Sequence, residues 1–164
     1  MKKILILVAL SLFFIGMQAQ VKSVSEYQVD KVGMLPPVEV YARVITIDDV
    51  AEKFCVLQTT NSANIKIVVA LNELELETML RKIDEIKVGN MDLTSDYFEK
   101  SYTIVTSSSN SVEIGYYIRT KMDATKGQQW FIKIKDGIYE GITSSSLNDI
   151  YKTLGKARAK LQSL

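Results

Sequence analysis

The chain has 164 residues, and its 20 basic and 19 acidic residues give a net charge of +1 at pH 7. This balance argues against a nucleic-acid ligand, because nucleic-acid-binding proteins usually carry a strongly basic surface. Histidine is absent and Cys55 is the only cysteine, which excludes Ser-His-Asp and Cys-His catalysis, an intramolecular disulfide and a thiolate zinc site within one chain.

The first 19 residues have the pattern of a cleaved export signal. Lys2 and Lys3 precede an apolar stretch over residues 4–15, and Ala19 supplies a small residue before a cleavage site at Gln20. The apolar stretch is shorter than the roughly 20 residues that span a bilayer. We therefore expect an exported protein, in the periplasm or outside the cell, that keeps no transmembrane anchor after cleavage; a retained N-terminal anchor is the alternative.

Strands dominate the chain between the signal and the first helix. Residues 20–35 have no clean periodicity and predict a flexible leader or an edge strand. Three strands follow over residues 38–47, 54–60 and 65–70, where β-branched residues predominate and turn-forming residues separate the segments.

The most clearly defined element is a helix that begins after Asn72. Asn72 and Glu75 have the spacing of a capping box, and Gly89 suits the position just after the helix. The apolar residues that recur at helical spacing are Leu76, Met79, Leu80, Ile83 and Ile86. One face of this helix must therefore be buried, most simply against a sheet.

The second half of the chain predicts four strands and another helix. Asp136 and Gly137 favour a two-residue hairpin of type I′, in which Lys133 pairs with Glu140 across the two strands. Serines at positions 144–146 then precede a helix whose apolar stripe is Leu147, Ile150, Tyr151 and Leu154. Lysines at 152, 156 and 160 form a stripe on this helix that is either a solvated face or a contact surface for an anionic partner.

These elements, in the order βββα-ββββα, predict an α+β fold. Because short turns connect the strands, we expect one antiparallel sheet of about six to seven strands with both amphipathic helices on one face. The two helices match each other at an offset of 71 residues, so a diverged tandem repeat stays open. We assign residues 1–19 to the signal peptide, 20–35 to the leader or edge strand, and 36–164 to a single α+β domain.

Aromatic residues concentrate in the second half and suggest a binding surface. Tyr116 and Tyr117 are adjacent, as are Trp130 and Phe131, so one member of each pair points to each face of a strand. An exposed row of tyrosines can anchor a protein partner. We take Tyr117, Phe131 and Tyr139 as candidate binding residues; the alternative is that loops or the leader cover this face.

The chain lacks the nucleophile motifs GxSxG and SxxK and the phosphate-binding motifs GxGxxG and the P-loop. We therefore predict no cofactor and no metal, and an exported non-catalytic module that binds a protein partner rather than nucleic acid. A carboxylate-dependent enzyme acting on glycans is one alternative, with Glu99, Glu113 and Glu140 as its candidate acids. A carrier of a small apolar ligand, held near Met79 and Tyr151, is the other.

Overall fold

The computed structural model describes residues 21–88, 97–106, 109–119 and 128–164. The predicted signal peptide and Gly89 lie outside these residues. The described elements have the order ββββα-ββββα. They are β1 (Val21–Val32), β2 (Val38–Ile47), β3 (Val50–Thr60), β4 (Lys66–Asn72), α1 (Glu73–Val88), β5 (Tyr97–Val105), β6 (Asn110–Arg119), β7 (Gln129–Asp136), β8 (Tyr139–Ser145) and α2 (Leu147–Gln162).

The fold is α+β and its strands are antiparallel, as the sequence predicts, but they form two sheets. Strands β1 to β4 make sheet 1 and strands β5 to β8 make sheet 2, each with its strands in chain order. The expected single sheet of six to seven strands is therefore not confirmed. The periodicity of apolar residues predicts each strand separately. It does not show whether β4 pairs with β5 in one sheet or whether the strands after α1 form a second sheet.

Helix α2 packs against sheet 1, the sheet of the other half, whereas α1 packs against both sheets, on β3 and β4 of its own half and on β5 and β6 of the other. From α1, Lys82 Nζ lies 5.6 Å from the ring centroid of Tyr102 on β5. From α2, Lys160 Nζ lies 4.5 Å from the ring centroid of Tyr27 on β1. The prediction that both helices cover one face of one sheet is thus not confirmed, because a hydrophobic stripe shows that a helix covers something but not which surface it covers.

The two sheets touch directly, chiefly where β3 and β4 meet β7 and β8. A Cβ atom added at Gly141 would lie 2.4 Å from Thr59 Cγ2 and 3.3 Å from Ile67 Cδ1. Gly141 therefore allows an approach that no other residue would permit without movement of its neighbours. We call the sheet faces that meet here and carry the helices the inner faces, and the opposite ones the outer faces.

The inner faces form the hydrophobic core. The buried members from the strands are Val32, Val38, Val40, Ala42, Cys55, Leu57, Ile67, Val69, Leu71, Ile104, Val112, Ile114, Tyr116, Ile118, Trp130, Ile132 and Ile134. Burial raises the pKa of the Cys55 thiol to about 12, so this cysteine is a small buried hydrophobic residue rather than a reactive thiol.

The start of α1 is as the sequence predicts. The Glu75 backbone N–H donates to Asn72 Oδ1 at 2.9 Å, and the Asn72 backbone N–H donates to Glu75 Oε2 at 2.7 Å. This reciprocal pair is a complete capping box, and it satisfies two backbone donors that the helix cannot satisfy by itself. Neither helix in the described part of the chain is long and apolar enough to cross a membrane.

The buried face of α2 differs from the predicted stripe. Its buried residues are Ile150, Thr153, Leu154, Ala157 and Leu161, whereas Tyr151 is exposed. The first residues of α1 and α2, Glu73 and Leu147, stand 74 positions apart. At that spacing Leu76 matches Ile150, so the expected offset of 71 is wrong by about one helical turn.

The hairpin between β7 and β8 is displaced from its predicted register. Asp136 pairs with Tyr139, and Lys133 pairs with Ile142 rather than with Glu140. Gly137 has a φ of +63° and is the first of the two turn residues, which is where a type II′ turn requires glycine. This register also places Gly141 against sheet 1, a long-range constraint that local turn chemistry does not contain.

Candidate functional site

An aromatic band crosses sheet 2 at the end formed by the starts of β5 and β7. Three pairs of neighbouring residues contribute to it, and each pair sends one ring to the inner face and one to the outer face. The pairs are Tyr97-Phe98, Tyr116-Tyr117 and Trp130-Phe131. The inner rings of the band therefore belong to the core, and its outer rings lie on the outer face of the sheet.

The inner rings of the band pack together in the core. The ring centroid of Tyr116 lies 5.0 Å from that of Trp130 and 6.2 Å from that of Phe98. The Tyr116 hydroxyl is fully buried, and the Gln128 side chain is a polar neighbour of it. Burial raises the pKa of Tyr116, and the Gln128 side chain close by offsets part of this rise. The three inner rings thus pack against one another in the core, on the inner face of sheet 2.

The outer rings form a continuous row, which we call the outer aromatic row: Tyr97, Tyr117 and Phe131. The centroids of Tyr97 and Tyr117 lie 6.1 Å apart with the rings 21° from parallel, and those of Tyr117 and Phe131 lie 6.4 Å apart. Tyr97 is 49% exposed, Tyr117 is half-buried and Phe131 is only 4% exposed. Side-chain exposure thus increases along the row, from the buried Phe131 through Tyr117 to Tyr97.

Gly115 explains how Phe131 can be buried on an outer face. The two residues are directly opposite each other on β6 and β7. A Cβ atom at Gly115 would lie 2.5 Å from the Cβ of Ser101 and 2.6 Å from the Lys100 carbonyl oxygen, so β5 and β6 approach closely here. An aromatic ring placed across from a strand glycine covers the backbone that the glycine would expose.

A charged cluster lies beside the row on the same face. Glu113 accepts a hydrogen bond from Ser101 Oγ at 2.6 Å, and Lys133 Nζ lies 3.6 Å from Glu113 and 3.7 Å from Glu140. The lysine therefore reaches Glu140 diagonally although its direct partner is Ile142. Two of the three candidate acids are thus brought together, but with a cation between them.

The third candidate acid, Glu99, accepts a hydrogen bond from the Tyr97 hydroxyl at the aromatic edge of the face. No cluster of acidic or cysteine residues able to hold a metal occurs among the residues that the structure describes.

The structure brings together two of the three predicted binding residues. Tyr117 and Phe131 are neighbours in the row, whereas Tyr139 pairs with Asp136 at the β7–β8 turn, on the side of β8 that carries Gly141. Sequence reasoning missed Tyr97 as a member of the row. The adjacent aromatic pair Tyr97-Phe98 could be seen in the sequence. The strand register that places Tyr97 beside Tyr117 could not be predicted from it.

Two aliphatic side chains add apolar area to the outer face of sheet 2. Val105 on β5 and Ile142 on β8 are both more than half exposed, and both lie on edge strands of the sheet. Val105 is at the opposite end of β5 from Tyr97, so it lies apart from the aromatic row.

The residues expected for an apolar carrier are separated. Met79 is fully buried in the core, while Tyr151 is exposed and donates a hydrogen bond from its hydroxyl to Asp84 Oδ2 at 3.2 Å. This hydrogen bond raises the pKa of Tyr151. The groove beside Tyr151 has a volume of about 300 Å³ and is lined by Asp84, Lys87, Leu147, Asn148 and Tyr151, so Met79 is not part of it.

No protein-family model matches the chain, and no curated protein is significantly similar to it.

Proposed function

We propose that this protein is an exported, non-catalytic binding module that contacts a protein partner, in the cell envelope or outside the cell, through the outer face of sheet 2. The observation that carries the proposal is the outer aromatic row, whose exposed edge at Tyr97 continues through Tyr117 to the buried base at Phe131. Export rests on the basic and apolar pattern of the first 19 residues.

The geometry of the row suits a contact surface because its rings are already ordered. Phe131 lies directly opposite Gly115 and its ring neighbours that of Tyr117, which in turn stacks on Tyr97. A tyrosine held in one rotamer loses little conformational entropy when a partner covers it. Tyrosine is also among the residue types that most often dominate the binding energy at protein interfaces.

The surroundings of the row resemble the rim of an interface. The cluster of Glu113, Lys133 and Glu140 supplies charged groups that pair with each other in the free protein. Such groups surround an apolar contact and set its register without requiring that any charge be buried alone. A carboxylate-dependent enzyme has less support, because Lys133 lies between two of the three acids that it would need.

A crosslinking pull-down with the tagged chain from Gln20 onward tests the proposal. Envelope and medium fractions are collected separately, and the captured protein is then titrated against purified variants. We expect the double substitution Tyr97→Ala and Tyr117→Ala to weaken binding by at least about 30-fold, the effect of losing one strong interface residue. Phe131 is left unchanged because it is buried, and its loss would damage the fold.

Tyr139→Ala is the matched control, because Tyr139 is exposed to a similar degree but lies away from the row. We expect this variant to bind within twofold of the unchanged protein. A partner that the double variant retains would contradict the proposed face. Failure to capture any protein from either fraction would contradict the proposed function itself.

A further inference from the structure

Strand β5 is an edge strand of sheet 2, and its backbone is regular. All nine of its residues pair with β6 without a register shift. The edge strand β1 has two register shifts, and such irregularities hinder pairing with a further strand. The edge strands β4 and β8 have seven residues each and lie where the two sheets meet. Among the edges that the structure describes, that of β5 is therefore the best suited to pair with another strand.

One hydrogen bond shows which backbone groups of β5 point away from β6. The Thr106 backbone N–H donates to the Asn110 carbonyl oxygen at 3.0 Å, one position beyond the end of β5, so residue 106 directs its backbone groups towards β6. Because this direction alternates along an antiparallel strand, the backbone groups of Glu99, Ser101 and Thr103 point to the open side. No backbone hydrogen bond joins these three residues to a further element in the described part of the chain. The open side of β5 is therefore a row of backbone donors and acceptors with which a further strand can pair.

We propose that β5 pairs antiparallel with β5 of a second copy of this chain, about a two-fold axis at Ser101. The two copies of sheet 2 then form one continuous sheet, and their outer faces lie on the same side of it. The inference goes beyond the proposed function, because it concerns the edge of sheet 2 and a second copy, whereas the proposed partner contacts the outer face.

The exposed apolar side chains of β5 match each other in this arrangement. Tyr97 and Val105 are 49% and 67% exposed, and they lie at opposite ends of β5 on its outer face. Pairing about Ser101 places Tyr97 of each copy opposite Val105 of the other. Aromatic and β-branched residues that face each other across antiparallel strands stabilise the pair. Val105, which lies apart from the aromatic row of its own copy, thus adjoins the row of the second copy.

The charged side chains of β5 are compatible with the same arrangement. Glu99 lies opposite Thr103 of the second copy, and Lys100 lies opposite Tyr102, so no two like charges are directly opposed. The two Lys100 residues are diagonal neighbours, and their long side chains can extend away from each other. A lysine on an edge strand hinders most pairings, but this register accommodates it.

The neighbouring registers are less favourable. With the axis at Lys100, this lysine lies directly opposite Lys100 of the second copy, which is destabilising. With the axis at Tyr102, Glu99 lies opposite Val105, and Tyr97 has no opposite residue within β5. The sequence of β5 therefore complements itself best in the register centred on residue 101, which favours a second copy over an unrelated strand as the occupant of this edge.

Analytical ultracentrifugation over a concentration series of the chain from Gln20 onward tests the inference without any partner present. Because one strand pair is a small interface, we expect a reversible dimer with a Kd of about 1–100 μM. Thr103→Pro removes a backbone N–H on the open side, where an edge strand tolerates proline, and should raise the Kd at least about tenfold. Thr103→Ala is the matched control, because it removes the same side chain but keeps the N–H, and its Kd should stay within about threefold. The near-UV circular dichroism of both variants should match that of the unchanged protein.

A pair of charge substitutions tests the register. Thr103→Glu places a carboxylate opposite Glu99 of the second copy and should raise the Kd at least about threefold. Adding Glu99→Lys should restore dimerisation, because the two new charges then attract each other between the copies. Within one copy these positions are four residues apart along a strand, about 13 Å, so the rescue reports a contact between copies. About 1 M salt, at which the Debye length is about 3 Å, should remove most of these differences.

A dimer that Thr103→Pro does not weaken would place the contact between copies elsewhere and overturn the inference. A protein that stays monomeric up to about 1 mM, or a Thr103→Glu variant that Glu99→Lys does not rescue, would overturn it as well. If the protein is monomeric and Thr103→Pro abolishes capture of its partner, the open edge pairs with a strand of that partner and not with a second copy. The ultracentrifugation needs no partner, so a failure of this inference is distinguishable from a failure of the proposed function, which the pull-down tests.

Discussion

The two halves of the molecule have the same order of elements, but their outer sheet faces carry different chemistry. On sheet 1, the Tyr41 hydroxyl donates to Glu39 at 2.7 Å, and Arg43 Nε donates to Glu26 at 2.7 Å. The bond to Glu39 raises the pKa of Tyr41 to about 12. On sheet 2, the corresponding face carries the outer aromatic row. Both outer faces thus carry polar pairs, but on sheet 2 these pairs lie beside a row of three aromatic rings that is exposed at Tyr97.

The inner faces also differ, because aromatic rings occur in the core of sheet 2 and aliphatic side chains in that of sheet 1, but both receive a helix from the other half. Each helix crosses to the other half and places a lysine over a tyrosine of that half's first strand, Lys82 over Tyr102 and Lys160 over Tyr27. Packing constrains inner faces, because every buried side chain must fit its neighbours at crystal-like density. Outer faces carry no such constraint. A binding surface is therefore expected on an outer face, where substitution is least restricted by packing.

Separating the halves should have the largest effect. A fragment of residues 20–90 lacks α2, which covers its first strands, and a fragment of residues 91–164 lacks α1. Each fragment alone would expose its apolar inner face to water, so we expect neither to unfold cooperatively. When mixed, the two should reassemble, which can be followed by near-UV circular dichroism and by the fluorescence of the buried Trp130.

A second mixture, with Leu154→Asp in the C-terminal fragment, controls for nonspecific association, because Leu154 is fully buried on α2. This mixture should remain unfolded. Cooperative unfolding of either fragment as a monomer would show that the exchange of helices is not required, and that each half is complete.

Contact between the sheets can be tested at Gly141, with a smaller expected effect. Gly141→Ala would bring a methyl group within 2.4 Å of Thr59 Cγ2, and such overpacking should reduce the free energy of unfolding by about 1–3 kcal/mol. Thr59→Ser removes that methyl group and keeps the hydroxyl that donates to Pro37. In urea denaturation, the double variant should therefore recover part of the loss.

Gly155→Ala is the matched control, because no atom lies within 4 Å of a Cβ added there on α2. Alanine should stabilise this helical position by about 0.5–1 kcal/mol. If Gly141→Ala were as stable as the unchanged protein, or if Thr59→Ser failed to restore stability, the close contact between the sheets would be wrong.

The smallest expected effect concerns the ion pair between β1 and α2. The hydrogen bond from Lys156, followed by that from the Lys31 backbone N–H, lowers the pKa of Asp30 below 3.8. Because the folded pKa lies below the unfolded one, the pair stabilises the fold above the unfolded pKa, and this stabilisation is lost as the pH falls through the folded pKa. Both side chains are partly exposed, so the contribution is at most about 1 kcal/mol.

The free energy of unfolding of the unchanged protein and of Asp30→Asn, measured across the acid range, checks this prediction. Glu39 also has a lowered pKa, chiefly through its hydrogen bond from Tyr41, so both proteins should lose stability in acid. The unchanged protein should lose more. A difference between the two that does not vary with pH would remove the ion pair as the cause. Lys152→Met, one turn away on α2, should reduce the difference only slightly, because Lys152 makes the smallest of the contributions that lower the pKa of Asp30.

The features of this fold that could be predicted from the sequence are local ones. The capping box of Asn72 and Glu75, the helical stripe beginning at Leu76 and the burial of Cys55 all follow from spacing and side-chain type over a few residues. The clustering of aromatic residues in the second half was visible in the same way, as were Tyr117 and Phe131.

How these elements combine depends on long-range packing, which the sequence pattern does not reveal. Contacts between residues far apart in the chain, such as Gly141 with Thr59, determine three features of the fold. These are the two separate sheets, the packing of each helix against the other half, and the β7–β8 register. The same contacts added Tyr97 to the aromatic row and left Tyr139 apart from it. Many arrangements satisfy one alternation of polar and apolar residues, and long-range packing selects among them because a single buried core must satisfy both halves at once.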